Sequence, residues 1–486
     1  AMKELGSQFV LGRTMKEATW RAKKLTAQGY THSYDMLGEA ARTAEDADRY
    51  FESYSAAIVD LIPHCNNDDI RNNPGISVKL SALHPRYEWS QRERVLTELV
   101  PKVLALALQA KAANMGFNID AEEADRLDIS LDVIAAVLAA PELSGWHGFG
   151  VVVQAFSKRA PWVLDWLYEL ARSLDRKIMV RLVKGAYWDA EIKRAQVIGL
   201  TDFPVFTRKA NTDVSYLACA KKMLAMNDLI YAQFATHNAH SVAAILQLAG
   251  DKHAYEFQRL HGMGESLHAS VMAQGGIRCR VYAPVGAHQD LLAYLVRRLL
   301  ENGANSSFVH QLVNPEIAPE TIAQDPINVV LERLEQGLSC RSHAIVRPQD
   351  LFAQTLESHR KNAKGWDITD APTIALMQSA REHLNPSYWQ AQPLVARFEG
   401  TLEAPHWVIN PAVGGERVGQ VHMSSKEQVE AALQAAPLGQ AEWLAMPLAE
   451  RVACFEKAAD LYEDNATELF AILAKEAGKT WLDAVG

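Results

Sequence analysis

The chain has 486 residues, 49 Lys+Arg against 58 Asp+Glu, a net charge of −9 and a hydrophobic fraction of 49%. At about 100–200 residues per domain this length holds two to four domains. The apolar content excludes a largely disordered chain, and the acidic balance argues against nucleic-acid binding through clustered Lys and Arg. Its five cysteines are dispersed, with no CxxC pair, which fits a reducing cytosol and supports neither a disulfide framework nor a structural zinc site.

In chain order, residues 1–30 form an N-terminal helical segment, and residues 30–290 repeat one cassette, a strand-like run followed by an amphipathic helix, within a domain expected over 31–320. The strand candidates are HSYDMLGE (32–39), ISVKLSAL (76–83), FNIDAE (117–122), FGVVVQAF (149–156), KIMVRLVKGA (177–186), IYAQFATH (230–237), YEFQRLHG (255–262) and RCRVYAPVG (278–286). Eight strands alternating with helices over about 250 residues predict an α/β protein with a (βα)8 barrel, and a doubly wound open sheet is the competing arrangement. Prolines at Pro315, Pro319 and Pro326 precede a helix in INVVLERLEQG; residues 321–400 read as a mostly polar helical connector without strand rhythm. The character changes again over 401–486, through WVINPAVGGERVGQV, the helix SKEQVEAALQAA and one long helix LAERVACFEKAADLYEDNATELFAILAKEAG. A chain that stops just after a long helix reads as a piece of something longer. No apolar run approaches the roughly 18–20 residues of a membrane span, and AMKELGSQF holds no secretory h-region, so the expected location is intracellular and soluble.

Alternation along the strands selects inward residues. In ISVKLSAL these are Ser77, Lys79 and Ser81; in FNIDAE, Asn118, Asp120 and Glu122; the next two strands offer Gln154 and Arg181. A buried charge costs several kcal/mol unless paired. Lys79, Asp120 and Arg181 therefore neutralise one another in a structural network or meet an ionic ligand. In DLLAYLVRRLLENGAN (290–305), Leu291, Leu292, Leu295 and Leu299 supply an apolar face, while Tyr294, Arg297, Arg298 and Glu301 form a polar stripe. Two adjacent guanidiniums suit a small carboxylate; a solvated helix face is the plain alternative. In VRLVKGAYWDAEIKRAQ (180–196), a strand runs through Lys184–Gly185 into a helix starting near Asp189. A Lys, a glycine that lets the backbone approach a ligand and a helix N-terminus suit a pyrophosphate. Tyr187 and Trp188 could lie on a flat ring or pack as core; Arg208, Lys209, Thr236 and His237 extend the set toward a dinucleotide. His237/His240 and His261/His268 lack metal-site spacing, Gly262–Met263–Gly264 lacks a third glycine, and no GxSxG is present.

The runs ISVKLSALHPRY, NIDAEEADRL, MVRLVKGAYWDAEIKRAQ, QFATHNAH, FQRLHGMGE and YAPVGAHQDLLAYLVRRLLENGANSSF resemble the proline dehydrogenase domain of bacterial proline utilisation A over about 1–320. The resemblance implies a distorted (βα)8 TIM barrel that holds FAD and oxidises L-proline to Δ1-pyrroline-5-carboxylate. It further implies a membrane quinone as electron acceptor, transient contact of a cytoplasmic protein with the inner membrane face, and no nucleic-acid partner. Residues 401–486 resemble the start of an aldehyde dehydrogenase-like domain that stops before its catalytic residues, so an NAD-dependent second activity is expected to be absent. Residue by residue, the resemblance places Arg297, Arg298 and Lys79 on the substrate carboxylate, with Asp120 and Glu301 orienting them. It puts Tyr282, Tyr294, Leu182 and Leu260 around the pyrrolidine ring. Gln154 and Arg181 would contact the isoalloxazine, Arg181 near N5; Val183, Lys184, Gly185, Ala186, Tyr187, Trp188, Thr207, Lys209, Thr236, His237 and Asn238 would line the rest of FAD. Another flavin-dependent barrel, such as a folate reductase, and a non-catalytic scaffold that no longer holds FAD are the competing readings.

Overall fold

A computed structural model describes residues 8–250, 254–287, 291–303, 318–353, 362–396 and 400–486. Eight parallel strands close on themselves in sequence order: β1 (Thr31–Met36), β2 (Gly75–Val78), β3 (Gly116–Ile119), β4 (Phe149–Gln154), β5 (Ile178–Val183), β6 (Ile230–Ala235), β7 (Tyr255–Leu260) and β8 (Arg278–Val285). Closure is made by β1 on β8, in register from Thr31 opposite Arg280 to Met36 opposite Val285. The barrel, rather than the open sheet, is the architecture. Parallel strands need helical crossovers; these pack on the outside through residues such as Val95, Leu99, Val103 and Leu106 of the helix Arg92–Ala112. The helix Met15–Ala27 precedes β1 and is capped by Thr14, which accepts from the Glu17 N–H.

Each strand shows one face to this core and the other to the barrel interior. On β5, Ile178, Val180 and Leu182 belong to the core cluster, while Arg181 reaches across the interior to Ser33, Ser77, Asp120 and Gln258. Glycine makes room inside. A Cβ on Gly150 would stand 2.4 Å from Asn118 Nδ2, which donates to Gln233 Oε1 at 3.2 Å.

Two strand expectations are corrected. In ISVKLSAL the paired strand ends at Val78, and Leu80–Leu83 is a short helix. Lys79, still extended at φ −101°, keeps the inward alternation, but Ser81 turns away and hydrogen-bonds Glu122. The turn buries both Leu80 and Leu83, which continued alternation would have split between two faces. β3 likewise ends at Ile119, so Glu122 leaves the interior for Ser81.

The contacts divide the chain into two compact units, residues 1–364 and 365–486, the division falling inside the segment expected as connector. In the first unit the barrel is followed by the helices Leu291–Gly303, Pro319–Ile322 and Pro326–Glu335. The outermost residues of the 290–305 expectation, and Pro315, lie outside the described residues. The second unit carries a three-stranded sheet ordered β10 (His406–Ile409), β11 (Arg417–Val421), β9 (Trp389–Ala391), with β9 parallel and β10 antiparallel to β11. β9 corrects the expectation of a strandless connector; three residues are too few to show periodicity. The expected single terminal helix is two, Leu448–Asp464 and Ala466–Ala477, broken at Asn465, where φ −107° and ψ 14° depart from the helix. No described helix is long and apolar enough to cross a membrane.

Candidate active site

The carboxyl ends of the strands and the helix Leu291–Gly303 surround one cavity of about 820 Å³. Lys79, Asp120, Gln154, Arg181, Val183, Lys184, Gly185, Ala186, Tyr187, Trp188, Thr207, Lys209, Thr236, His237, Asn238, Leu260, Tyr282, Tyr294, Arg297, Arg298 and Glu301 all line it. Leu182 does not join them. Next to inward-facing Arg181, strand alternation turns it outward into the core, fully buried. The expected place of Leu182 on a substrate ring is therefore corrected.

At one end of the cavity is a buried ionic cluster. Lys79 Nζ donates to Asp35 Oδ2 at 2.9 Å, to Asp120 Oδ2 at 3.1 Å and to the Tyr282 hydroxyl at 3.3 Å. Tyr282 donates to Asp120 Oδ2 at 2.7 Å. Arg181 reaches Asp120 Oδ1 at 2.9 Å, Gln258 Oε1 at 2.6 Å, and the Ser33 and Ser77 hydroxyls at 3.2 and 3.1 Å. Two cations face two carboxylates, so the cluster is neutral as it stands. Burial opposes the charge on Lys79, but Asp35, Tyr282 and Asp120 outweigh it and hold the ammonium well above its usual range. Burial likewise pushes Asp120 up, and Lys79 and Arg181 more than reverse it. Asp35 differs: burial wins over Lys79 and leaves its carboxyl raised. Its Oδ1 is buried without a partner among the described residues.

The helix Leu291–Gly303 closes this end with its polar stripe toward the cavity, which sets aside the solvated-face alternative. Tyr294, Leu295 and Arg298 are buried at 6%, 1% and 6% exposure, whereas Leu292 and Leu299 stand 61% and 47% exposed. The polar stripe faces the barrel because its partners are there. Arg297 makes a two-pronged pair with Glu39 at 2.7 and 2.8 Å and lies 5.1 Å above the Tyr187 ring. Arg298 pairs with Glu301 and lies 5.2 Å from the Tyr294 ring centre. Against the upward push of burial, Arg298 and His237 hold Glu301 below the usual carboxylate range. His237 Nε2 accepts from the Leu260 N–H at 3.0 Å, which puts the proton of the neutral ring on Nδ1, 3.7 Å from Glu301. Arg298 Nε and the Tyr294 hydroxyl are buried without partners among the described residues. A buried unpaired donor is costly, and both belong to cavity-lining residues.

The other end suits an anionic, ring-bearing group. Gly185 has φ +134°, and a Cβ there would lie 2.4 Å from the Phe156 ring, so only glycine makes the turn that brings Tyr187 and Trp188 to the cavity. Asp213 gathers Lys184 and Lys209, the latter at 2.5 Å, beside the start of the helix Lys209–Ala225. Gln154 donates to the Glu122 carbonyl at 2.8 Å. Trp188 Nε1 is tied to the Phe206 carbonyl at 2.8 Å, and Thr207 accepts from the Ser342 N–H at 3.0 Å.

Sequence reasoning missed Asp35, Glu39 and Gln258. Asp35 and Glu39 sit in HSYDMLGE, quoted as a strand without its acids being weighed. The charge count gave no warning while Glu122 was expected inside; with Glu122 turned to Ser81, Lys79 and Arg181 have only Asp120, and one positive charge is left for Asp35.

A closed barrel with its polar groups gathered at the strand ends defines a (βα)8 enzyme scaffold, and the chain belongs to the proline dehydrogenase family, whose profile matches residues 18–311. The aldehyde dehydrogenase family matches residues 399–486. The whole chain aligns with bifunctional PutA proteins, 48% identical to those of Klebsiella aerogenes and Escherichia coli, and covers 37% of the length of each. The proline dehydrogenase of Deinococcus radiodurans is 27% identical over 64% of this chain and 90% of its own. Among solved structures, proline utilisation A from Bradyrhizobium japonicum superposes with a TM-score of 0.84 at 45% identity, over 100% of this chain and 45% of that one. The Bdellovibrio bacteriovorus protein, described as inactivated by N-propargylglycine, superposes at 0.87 and 27% identity, over 99% of this chain and 50% of that one. The chain thus carries a proline dehydrogenase domain and part of an aldehyde dehydrogenase domain, and spans 37% of the length of the Klebsiella aerogenes and Escherichia coli PutA proteins.

Proposed function

We propose that the barrel oxidises L-proline to Δ1-pyrroline-5-carboxylate with FAD and passes the electrons to a membrane quinone, in a cytoplasmic protein that meets the inner membrane face transiently. The observation that carries this reading is the pair of buried, unpartnered donors, Arg298 Nε and the Tyr294 hydroxyl, in the same cavity as the Lys79–Asp120–Arg181 cluster. Such donors suit a small carboxylate.

The donor set fits a flavin dinucleotide. Arg181 commits four of its five N–H groups to the protein, which leaves one on Nη1 for a ring atom. Gln154, Gly185 and Trp188 would hold the rings, and Lys184 and Lys209 the diphosphate. When bound, FAD supplies a hydride acceptor at N5 for the hydrogen leaving proline C5. The residues do the positioning. Arg298, with Lys79 and Arg297, would fix the substrate carboxylate; Arg297 is already engaged by Glu39, so Arg298 offers the free donor. Tyr282, Tyr294 and Leu260 would enclose the ring and exclude water, which favours the neutral amine that can lose a hydride. The cation of Arg181 would stabilise charge developing on the cofactor.

Anaerobic addition of L-proline to the flavin-loaded protein tests cofactor, substrate and reaction type together. Prompt bleaching of the visible flavin band is the expected result. A colourless preparation that takes up no FAD, or a yellow one that proline leaves unchanged, removes it.

A further inference from the structure

We infer that Glu256 and Gln258 are positioning residues: the Glu256 carboxylate fixes the Gln258 amide, and the Gln258 oxygen fixes the Arg181 guanidinium at the cofactor cavity. This rests on the reading that Arg181 faces the flavin.

Glu256 and Gln258 lie two apart on β7 and both face the barrel interior, where they are 0% and 1% exposed. Glu256 Oε1 accepts from Arg280 Nε at 2.8 Å, from Gln233 Nε2 at 3.0 Å and from Gln258 Nε2 at 2.8 Å. A carboxylate ion only accepts, so Gln258 must turn its NH2 group toward it. Its oxygen is then aimed at Arg181 Nε, 2.6 Å away, and an arginine only donates. Rotating the amide by half a turn would set oxygen against oxygen and N–H against N–H, losing two buried hydrogen bonds and leaving the Gln258 amide and Arg181 Nε without these partners. The orientation is therefore locked from both sides.

The remaining partners of Arg181 constrain it less. The hydroxyls of Ser33 and Ser77 can rotate to follow it, and Asp120 is also drawn by Lys79 and Tyr282. The bond to Gln258 is the shortest of the four and acts at Nε, where the guanidinium joins its stem. It sets the plane in which the spare Nη1–H points. Glu256, anchored by Arg280 at the barrel floor, would thus govern a group at the mouth without lining the cavity itself.

The test uses the flavin-loaded enzyme carrying Gln258→Met, Glu256→Gln, or both. In Gln258→Met we expect kcat to fall about tenfold and KM for proline to move less than twofold. The flavin midpoint potential should drop by about 30 mV, the two-electron equivalent of a tenfold change. In Glu256→Gln the potential should fall by less, since an amide can still present an oxygen to Gln258. In the double variant Glu256→Gln should add nothing further, because its effect runs through the amide already removed. An unchanged potential in Gln258→Met, or full additivity in the double variant, overturns the inference. Should Glu256→Gln not fold, as its thermal melt would reveal, Gln258→Met decides alone. Arg181→Met separates the two levels. If it leaves flavin content and potential unchanged, the placement of Arg181 on the flavin is what fails; if it alters them while Gln258→Met does not, only the positioning role fails.

Discussion

At the floor of the barrel Glu256 faces Arg280, and at the mouth Asp35 and Asp120 face Lys79 and Arg181; both clusters are buried and charge-balanced. Their difference lies in saturation. At the floor both Glu256 oxygens have donors, Arg280 and Tyr231 serving Oε2 at 3.3 and 3.4 Å. Arg280 spends its other N–H groups on the His32, Asn73 and Arg71 carbonyls. At the mouth Asp35 Oδ1, Arg298 Nε and the Tyr294 hydroxyl have no partner among the described residues. The same residue types thus make a closed structural lock in one place and an open binding site in the other, with Gln258 bridging them. A buried ion network is informative about function through the atoms it leaves over.

The contrast can be broken most sharply at the floor. Glu256→Ala would strand the buried Arg280 charge, and we expect a loss of about 3–5 kcal/mol of unfolding free energy, read by urea denaturation. A loss below about 1 kcal/mol would mean the floor is not the lock described. At the mouth, the expected loss is catalytic. Arg181→Met should reduce kcat about a hundredfold and weaken flavin retention, with stability falling less than in Glu256→Ala. Arg298→Met should raise KM for proline about 10- to 100-fold with a smaller change in kcat, and by more than Arg297→Met, since Arg297 is held by Glu39. Equal KM in the wild-type and Arg298→Met enzymes would remove the carboxylate assignment.

The smallest effect concerns Glu122, just past the end of β3. Burial raises its carboxyl to about 7, outweighing the pull of Arg126 and Ser81. The folded protein therefore keeps a proton that the unfolded chain releases from about pH 4.5 upward. This contribution to stability is complete below that pH and is lost as pH rises through 7. Glu122→Gln should flatten the decline between pH 4.5 and 7. An unaltered slope in chemical denaturation across that window would show that the carboxylate is solvated instead.

The site was legible to different depths in its different parts. Lys79, Asp120 and Arg181 stood out because a charge inside an apolar strand breaks the alternating pattern, and that pattern is local. Arg297 and Arg298 stand out as a pair, yet the sequence leaves open whether their stripe meets a ligand or solvent. The tertiary structure decides it through Glu39, far away in sequence, which holds Arg297, whereas Glu301 lies on the same helix as Arg298. Leu182 was lost to its neighbour: consecutive strand residues cannot share a face, and Arg181 had the stronger tie to the interior. Gln258 gave no signal, since an amide in a strand looks the same whether it bridges two ions or faces a helix.

By itself the sequence determined the number and order of the eight strands and the family, because repeating periodicity and long motifs are written along the chain. It also determined which residue types were available for chemistry. Whether the sheet closes, which donors remain unpaired and which glutamate answers which arginine were decided by the tertiary structure. Those depend on distances between residues tens to hundreds of positions apart, and a partner fixed across a barrel has no trace in local pattern.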